Sequence, residues 1–166
     1  MINKENKPNI IIIFADDLGY GDLGCYGSKI NETPTLDRMA DEGKKFSNFY
    51  VSSPVCSPSR ASLLTGCYPQ RISFGTFDGL RVLFPGQGIG LSTEEKTIAK
   101  TLKESGYSTK IIGKWHCGDQ KDFLPTNHGF DSYFGIPYSN DMGRQVKPKD
   151  YNPNDSSLRK VTEWDR

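Results

Sequence analysis

The chemistry this sequence can offer rests on a cysteine, two adjacent aspartates, an arginine, a lysine and a histidine. Cys56 opens the stretch Cys56-Ser57-Pro58-Ser59-Arg60, which continues through Leu63 and Leu64 to Thr65-Gly66. The spacing predicts a short helix. Pro58 suits a first helical position, where its missing N–H is harmless; Ser57 can cap, and Gly66 ends the turn. A thiol at that end sits in the positive field of the helix dipole, with Arg60 one turn away, and both favour an anion on or beside the sulfur. Asp16 and Asp17 directly follow an isoleucine run. As hard oxygen donors they suit Ca²⁺ or Mg²⁺. Lys114 and His116 stand two apart in Gly113-Lys114-Trp115-His116. Taken singly, each has a plain structural reading: a small core thiol, a helix cap, a salt-bridged arginine, a surface lysine, a packed histidine. Taken together, carboxylates for a cation and cationic side chains around one helix-terminal cysteine suit an anionic ester whose oxygens are shared between metal and protein.

The elements that must position these groups follow from hydrophobic pattern. Residues 8–15 (PNIIIIFA) are apolar without alternation, the pattern of a strand buried on both faces. Thr33-Pro34 opens a helix carrying Leu36, Met39 and Ala40, ended by Gly43. Residues 45–51 (KFSNFYV) alternate and predict a second strand. Residues 68–91, dense in glycine and aromatics, predict a long excursion over the surface, of the kind that is more often functional than idle. Ser92-Thr93-Glu94-Glu95 forms a capping box before a helix with Ile98, Ala99 and Leu102 inward. A third strand is expected at 107–112 and a fourth near 133–136.

Strand–helix–strand alternation with short connections implies an α/β fold: a mostly parallel central sheet flanked by helices, with its chemistry beyond the carboxyl ends of the strands. Asp16 and Asp17 end the first strand, the cysteine helix follows the second, and Lys114 and His116 end the third. Three segments therefore aim at one edge. Residues 1–7 read as a polar lead, 8–143 as the catalytic part, and 144–166 as a polar segment, a loop awaiting a continuation.

Composition narrows the field without choosing within it. Of 166 residues, 21 are Lys or Arg and 20 are Asp or Glu, so a net charge of +1 gives no reason to invoke nucleic acid. The longest apolar run, 10–15, is too short to span a bilayer, and no signal-peptide pattern accompanies it. The cysteines Cys25, Cys56, Cys67 and Cys117 are scattered, without the paired spacing of a zinc module.

The Cys56-Ser57-Pro58-Ser59-Arg60 stretch with Leu63-Leu64-Thr65-Gly66 resembles the C-x-P-S-R…L-x-T-G signature of the type I sulfatases, within the alkaline phosphatase-like superfamily. The resemblance extends to Asp16-Asp17-Leu18-Gly19-Tyr20-Gly21-Asp22, Thr33-Pro34-Thr35-Leu36-Asp37 and Gly113-Lys114-Trp115-His116. Gly129-Phe130-Asp131 and Gly135-Ile136-Pro137-Tyr138-Ser139 are similar to the branch containing arylsulfatase A and galactosamine-6-sulfatase.

That resemblance implies a sulfuric ester hydrolase of alkaline phosphatase-like fold. Cys56 would be oxidised to Cα-formylglycine by a maturation enzyme reading Pro58 and Arg60. The aldehyde hydrate would attack sulfur with one hydroxyl, and the other would lose its proton to expel sulfate. Asp16, Asp17 and the modified Cys56 would bind Ca²⁺, while Arg60 and Lys114 stabilise charged oxygens. His116 would help deprotonate the diol and Ser139 would hydrogen-bond near the sulfate. The substrate would be a small-molecule or carbohydrate sulfate ester. A phosphodiester or phosphonate hydrolase of the same superfamily, or a non-catalytic remnant, stays open beside this. Family members are mostly periplasmic, secreted or lysosomal, and run to several hundred residues. The second half of the site, with further metal ligands and a leaving-group acid, has no match here, so the fold is expected to be incomplete in this chain.

Overall fold

The computed structural model describes residues 7–142, which fall into two compact units. The expected polar segment at 144–166, and all but Lys7 of the lead, lie outside the described residues.

In the first unit, through Phe49, helix α1 spans Pro34–Glu42, with proline in its first turn and Gly43 at its end as expected. Thr33 does not cap it with its side chain. Its hydroxyl instead donates to Asp37 Oδ1 at 2.9 Å and accepts from Gly24 N–H at 2.8 Å, while Cys25 N–H donates to Asp37 Oδ1 at 2.7 Å. Asp37 thereby pins the glycine-rich loop onto α1. The Tyr20 hydroxyl donates to Phe49 O and accepts from Phe49 N–H, fastening the same loop to residue 49.

Apolar burial is minor in this unit: Leu36 and Met39, the larger apolar residues of α1, are exposed. Residues 8–15 and 45–51, expected as strands, have no ladder partner among the described residues, and Ile11 is 83% exposed. The reason is that a strand exists only through a neighbour that takes its backbone hydrogen bonds. An apolar run makes pairing favourable without supplying the partner.

The second unit holds the core. Helix α2 spans Cys56–Thr65 and α3 spans Ile98–Glu104; strands β1 (Lys110–Ile112) and β2 (Ser132–Phe134) pair in parallel, with Ile111 opposite Tyr133. Parallel pairing and flanking helices are the α/β arrangement expected, although the two strands are shorter than their apolar patterns. Around them pack Ala61, Leu64, Phe74, Phe77, Leu91 and Trp115. Phe74 and Phe77 meet edge to face at 4.9 Å, a geometry aromatic rings favour.

Two expectations are corrected here. The 68–91 segment is not merely a surface excursion, since Phe74, Phe77, Leu83 and Leu91 are core residues. Its aromatics offer more burial than the short flanking elements can supply alone. The capping box at 92–95 does not open α3 either. Thr97 does, accepting from Lys100 N–H at 3.2 Å while its hydroxyl donates to His128 O at 2.5 Å. A buried threonine that caps and tethers at once outcompetes an exposed box.

The pairing of β1 with β2 continues into the segment that follows. Gly113 N–H donates to Phe134 O, Trp115 N–H to Ile136 O, and His116 N–H to Pro137 O. A Cβ at Gly135 would run into the Gly113 carbonyl, so the two chains approach closely only because that residue is glycine. Behind them Trp115 packs on His128, with ring centroids 5.4 Å apart.

His128 is fully buried, and burial chiefly, then the charge of Lys100, lowers its pKa to about 4 against an opposing backbone hydrogen bond at Phe123. The unfolded chain therefore binds a proton that the folded one does not. Its stability contribution is complete above pH 6.5 and is lost as the pH falls towards 4. Denaturant melts of the intact protein should lose about 3 kcal/mol through this group across that window. His128→Leu should flatten that part of the slope, and an unchanged slope would refute the assignment.

Candidate active site

The site is built where α2 begins. The N-cap is Val55 in an extended conformation, so Cys56 and Ser57 are the first helical residues and Pro58 the third. The cap expected of Ser57 does not form. Pro58 still costs nothing, because the first four N–H groups of a helix have no partner within it. Gly66 closes the helix in the left-handed conformation (φ 70), its N–H donating to Ser62 O. Ser57 is fully buried, and its hydroxyl accepts from Leu83 N–H at 3.1 Å.

Lys114 reaches Cys56: its ammonium lies 3.2 Å from the sulfur, between residues 58 positions apart. Arg60, one turn along α2, donates from Nη1 to the Lys114 carbonyl at 2.7 Å. This contact fixes the backbone from which the Lys114 side chain extends. Three of the residues singled out by type and spacing are therefore linked, Lys114 to the sulfur and Arg60 to the Lys114 backbone. Positive charge there, added to the helix N-terminus, favours an anionic oxygen at or beside residue 56.

His116 is buried and sits at φ 59, a left-handed conformation costly for a residue with a Cβ. Its backbone N–H is held by Pro137 O, and its Nε2 lies 2.8 Å from Leu83 O. A carbonyl only accepts, so Nε2 carries the hydrogen, and a neutral ring has its lone pair on Nδ1. Nδ1 is the atom that can take a proton. Leu83 is thus tied to the residue after Cys56 through its N–H and to His116 through its carbonyl. Nothing in residues 68–91 marks Leu83 for that role, and the density of aromatics was the only pointer to the segment.

Ser139 is buried and lies two positions beyond the Pro137–His116 pairing. Cys117, next to His116, is fully buried; burial pushes its thiol well above the usual range, with Arg60 opposing, so it is no rival nucleophile to the partly exposed Cys56. Asp16 and Asp17 belong to the first unit, where both are exposed and Asp17 turns the chain at φ 56. Adjacent exposed carboxylates fit a hard cation in kind, but Ca²⁺ takes 6–8 oxygens. No cluster of three or more His, Cys, Asp or Glu side chains forms among the described residues. No helix among them is long and apolar enough to cross a membrane.

Comparison with known proteins places the chain in a family. The sulfatase family model matches residues 8–164. Human arylsulfatase A is 51% identical over 138 residues, covering 82% of this chain and 26% of that protein. N-acetylgalactosamine-6-sulfatase of Sus scrofa is 50% identical over 133 residues, covering 78% of this chain and 26% of that protein. The chain thus spans about a quarter of the length of these curated relatives. Among solved structures, Ps i-CgsB in complex with k-i-k-neocarrahexaose superposes with a TM-score of 0.76 at 42% identity, over 89% of this chain and 31% of that one. A protein solved with its substrate D-glucosamine-2-N,6-O-disulfate superposes with a TM-score of 0.64 at 32% identity, over 77% of this chain and 23% of that one.

Proposed function

The chain belongs to the sulfatase family, and from that premise we propose that the protein hydrolyses a carbohydrate sulfate ester with residue 56 as its nucleophile. The observation that carries this reading is the Lys114 ammonium 3.2 Å from Cys56 Sγ, on a backbone held by Arg60. Carbohydrate is the favoured alcohol because two structural relatives were solved with carbohydrate ligands, one of them a disulfated glucosamine. Cys56 would be converted to Cα-formylglycine by a maturation enzyme. A first-turn position with part of its surface open fits an oxygen-bearing side chain in place of the thiol. The hydrated aldehyde would supply a nucleophilic hydroxyl and a second one whose deprotonation would allow release of sulfate.

The chain's own residues supply the rest. Lys114 balances negative charge at residue 56 and on the sulfate oxygens as bonding to the alcohol breaks. Arg60 orients Lys114 and adds charge one turn along the helix. His116, with Nε2 committed to Leu83 O, holds its basic lone pair on Nδ1, where it can accept the hydroxyl proton. Ser139 would donate to a sulfate oxygen. Asp16 and Asp17 would hold Ca²⁺, which supplies electrostatic stabilisation of anionic oxygens. Assay of the intact protein, co-expressed with a maturation enzyme, against monosaccharide sulfates and matching phosphate esters tests the reading. Turnover of a sulfate is expected to exceed that of its phosphate counterpart, and the reverse order would overturn it.

A further inference from the structure

A shallow, open groove lies beside His116. Its walls include Phe84, Pro85, Asp119, Pro137 and Tyr138. The Phe84 wall is a short turn whose backbone is held at several points. Leu83 is buried and tied to Ser57 and His116. Phe84 N–H donates to Gln87 Oε1 at 2.7 Å, and Gly86 N–H donates to Asp119 Oδ2 at 2.9 Å. Gly86 sits at φ 82, so the turn is made where a side chain would be strained. Phe84 nevertheless stays 44% exposed. A preformed turn presenting an aromatic beside a catalytic-segment histidine has the character of a binding wall.

A sulfate ester has two halves that need different surroundings. The anionic half is served by Lys114 and Arg60. Among the described residues the groove is lined by no lysine or arginine, and its carboxylate, Asp119, disfavours a second anion. Apolar faces with one acceptor suit an uncharged, hydroxyl-bearing ring. Resting on the function proposed above, we propose that the turn at residues 83–87 receives the alcohol half of the ester, an uncharged sugar ring lying on Phe84. Asp119 is the positioning residue that holds the turn through Gly86.

Steady-state kinetics of the intact, matured protein test this, using the best substrate from a panel of monosaccharide sulfates and inorganic sulfate as a competitive inhibitor. Phe84→Ala should raise KM about tenfold, more than it lowers kcat, while Phe84→Tyr stays near wild type. The inhibition constant of inorganic sulfate, which has no alcohol half, should not move, and this also reports a folded site. Asp119→Ala should raise KM in the same way. Asp119→Asn should restore it, since an amide oxygen still accepts from Gly86 N–H. An unmoved KM in Phe84→Ala, a parallel weakening of sulfate inhibition, or an Asp119→Asn variant as impaired as Asp119→Ala would overturn the proposal. Wild-type protein inactive on every sulfate ester would overturn the proposed function and this wall with it. Normal wild-type turnover beside an unmoved KM sinks the wall alone.

Discussion

Cys56→Ser in the intact protein is expected to lower sulfate-ester turnover by about 10⁴-fold or more, the scale seen when a covalent nucleophile is removed. Serine keeps one hydroxyl on the first turn of α2, within the reach that gives the Cys56 sulfur its 3.2 Å contact with Lys114. It lacks the second hydroxyl whose deprotonation would release sulfate. The variant should therefore react once and stop, and mass spectrometry of its residue-56 peptide should show a gain of about 80 Da for a retained sulfate. In wild-type protein the same peptide should instead show a loss of about 18 Da, the change from thiol to aldehyde. A wild-type peptide with an unmodified thiol in an active preparation would sink the assignment of residue 56. So would a serine variant that turns over normally.

Lys114→Met should lower kcat/KM by about 10²–10³-fold, the usual cost of deleting one preorganised group facing developing charge. Methionine keeps most of the length and apolar stem of lysine, so packing beside α2 changes little. The Arg60 contact is to the Lys114 backbone carbonyl, so it survives the substitution. Inorganic sulfate should inhibit the variant more weakly, because the lost charge also serves the ground-state anion. The 18 Da loss at residue 56 should persist, separating a catalytic defect from a failure of maturation. A decrease of less than about tenfold would show that the lysine merely neighbours the sulfur.

How far the site could be read from sequence depended on how local its determinants were. Gly66 as the end of α2 and Thr33-Pro34 as the start of α1 were legible because capping and proline geometry act within a turn. The same local rules misplaced the start of α3, which begins after Thr97 rather than after Ser92. There a side chain reaching His128, 31 residues away, outweighed a nearby box. Residues 8–15 read as a strand from their composition, yet composition cannot name a partner, and none is assigned among the described residues.

The sequence by itself determined the chemical inventory: a cysteine at a helix start, an arginine one turn on, a lysine and a histidine two apart, and the family they mark. These are identities and short spacings, and short spacings translate directly into positions on a helix or turn. Only the tertiary structure decided which groups meet. It brought Lys114 to Cys56 across 58 positions, turned Ser57 from a cap into a ligand for Leu83, and committed Nε2 of His116 to the Leu83 carbonyl. The last two choices come from packing the 68–91 segment into the core. Burial of its aromatics stabilises it there, and each polar group it covers must find a partner wherever the chain supplies one.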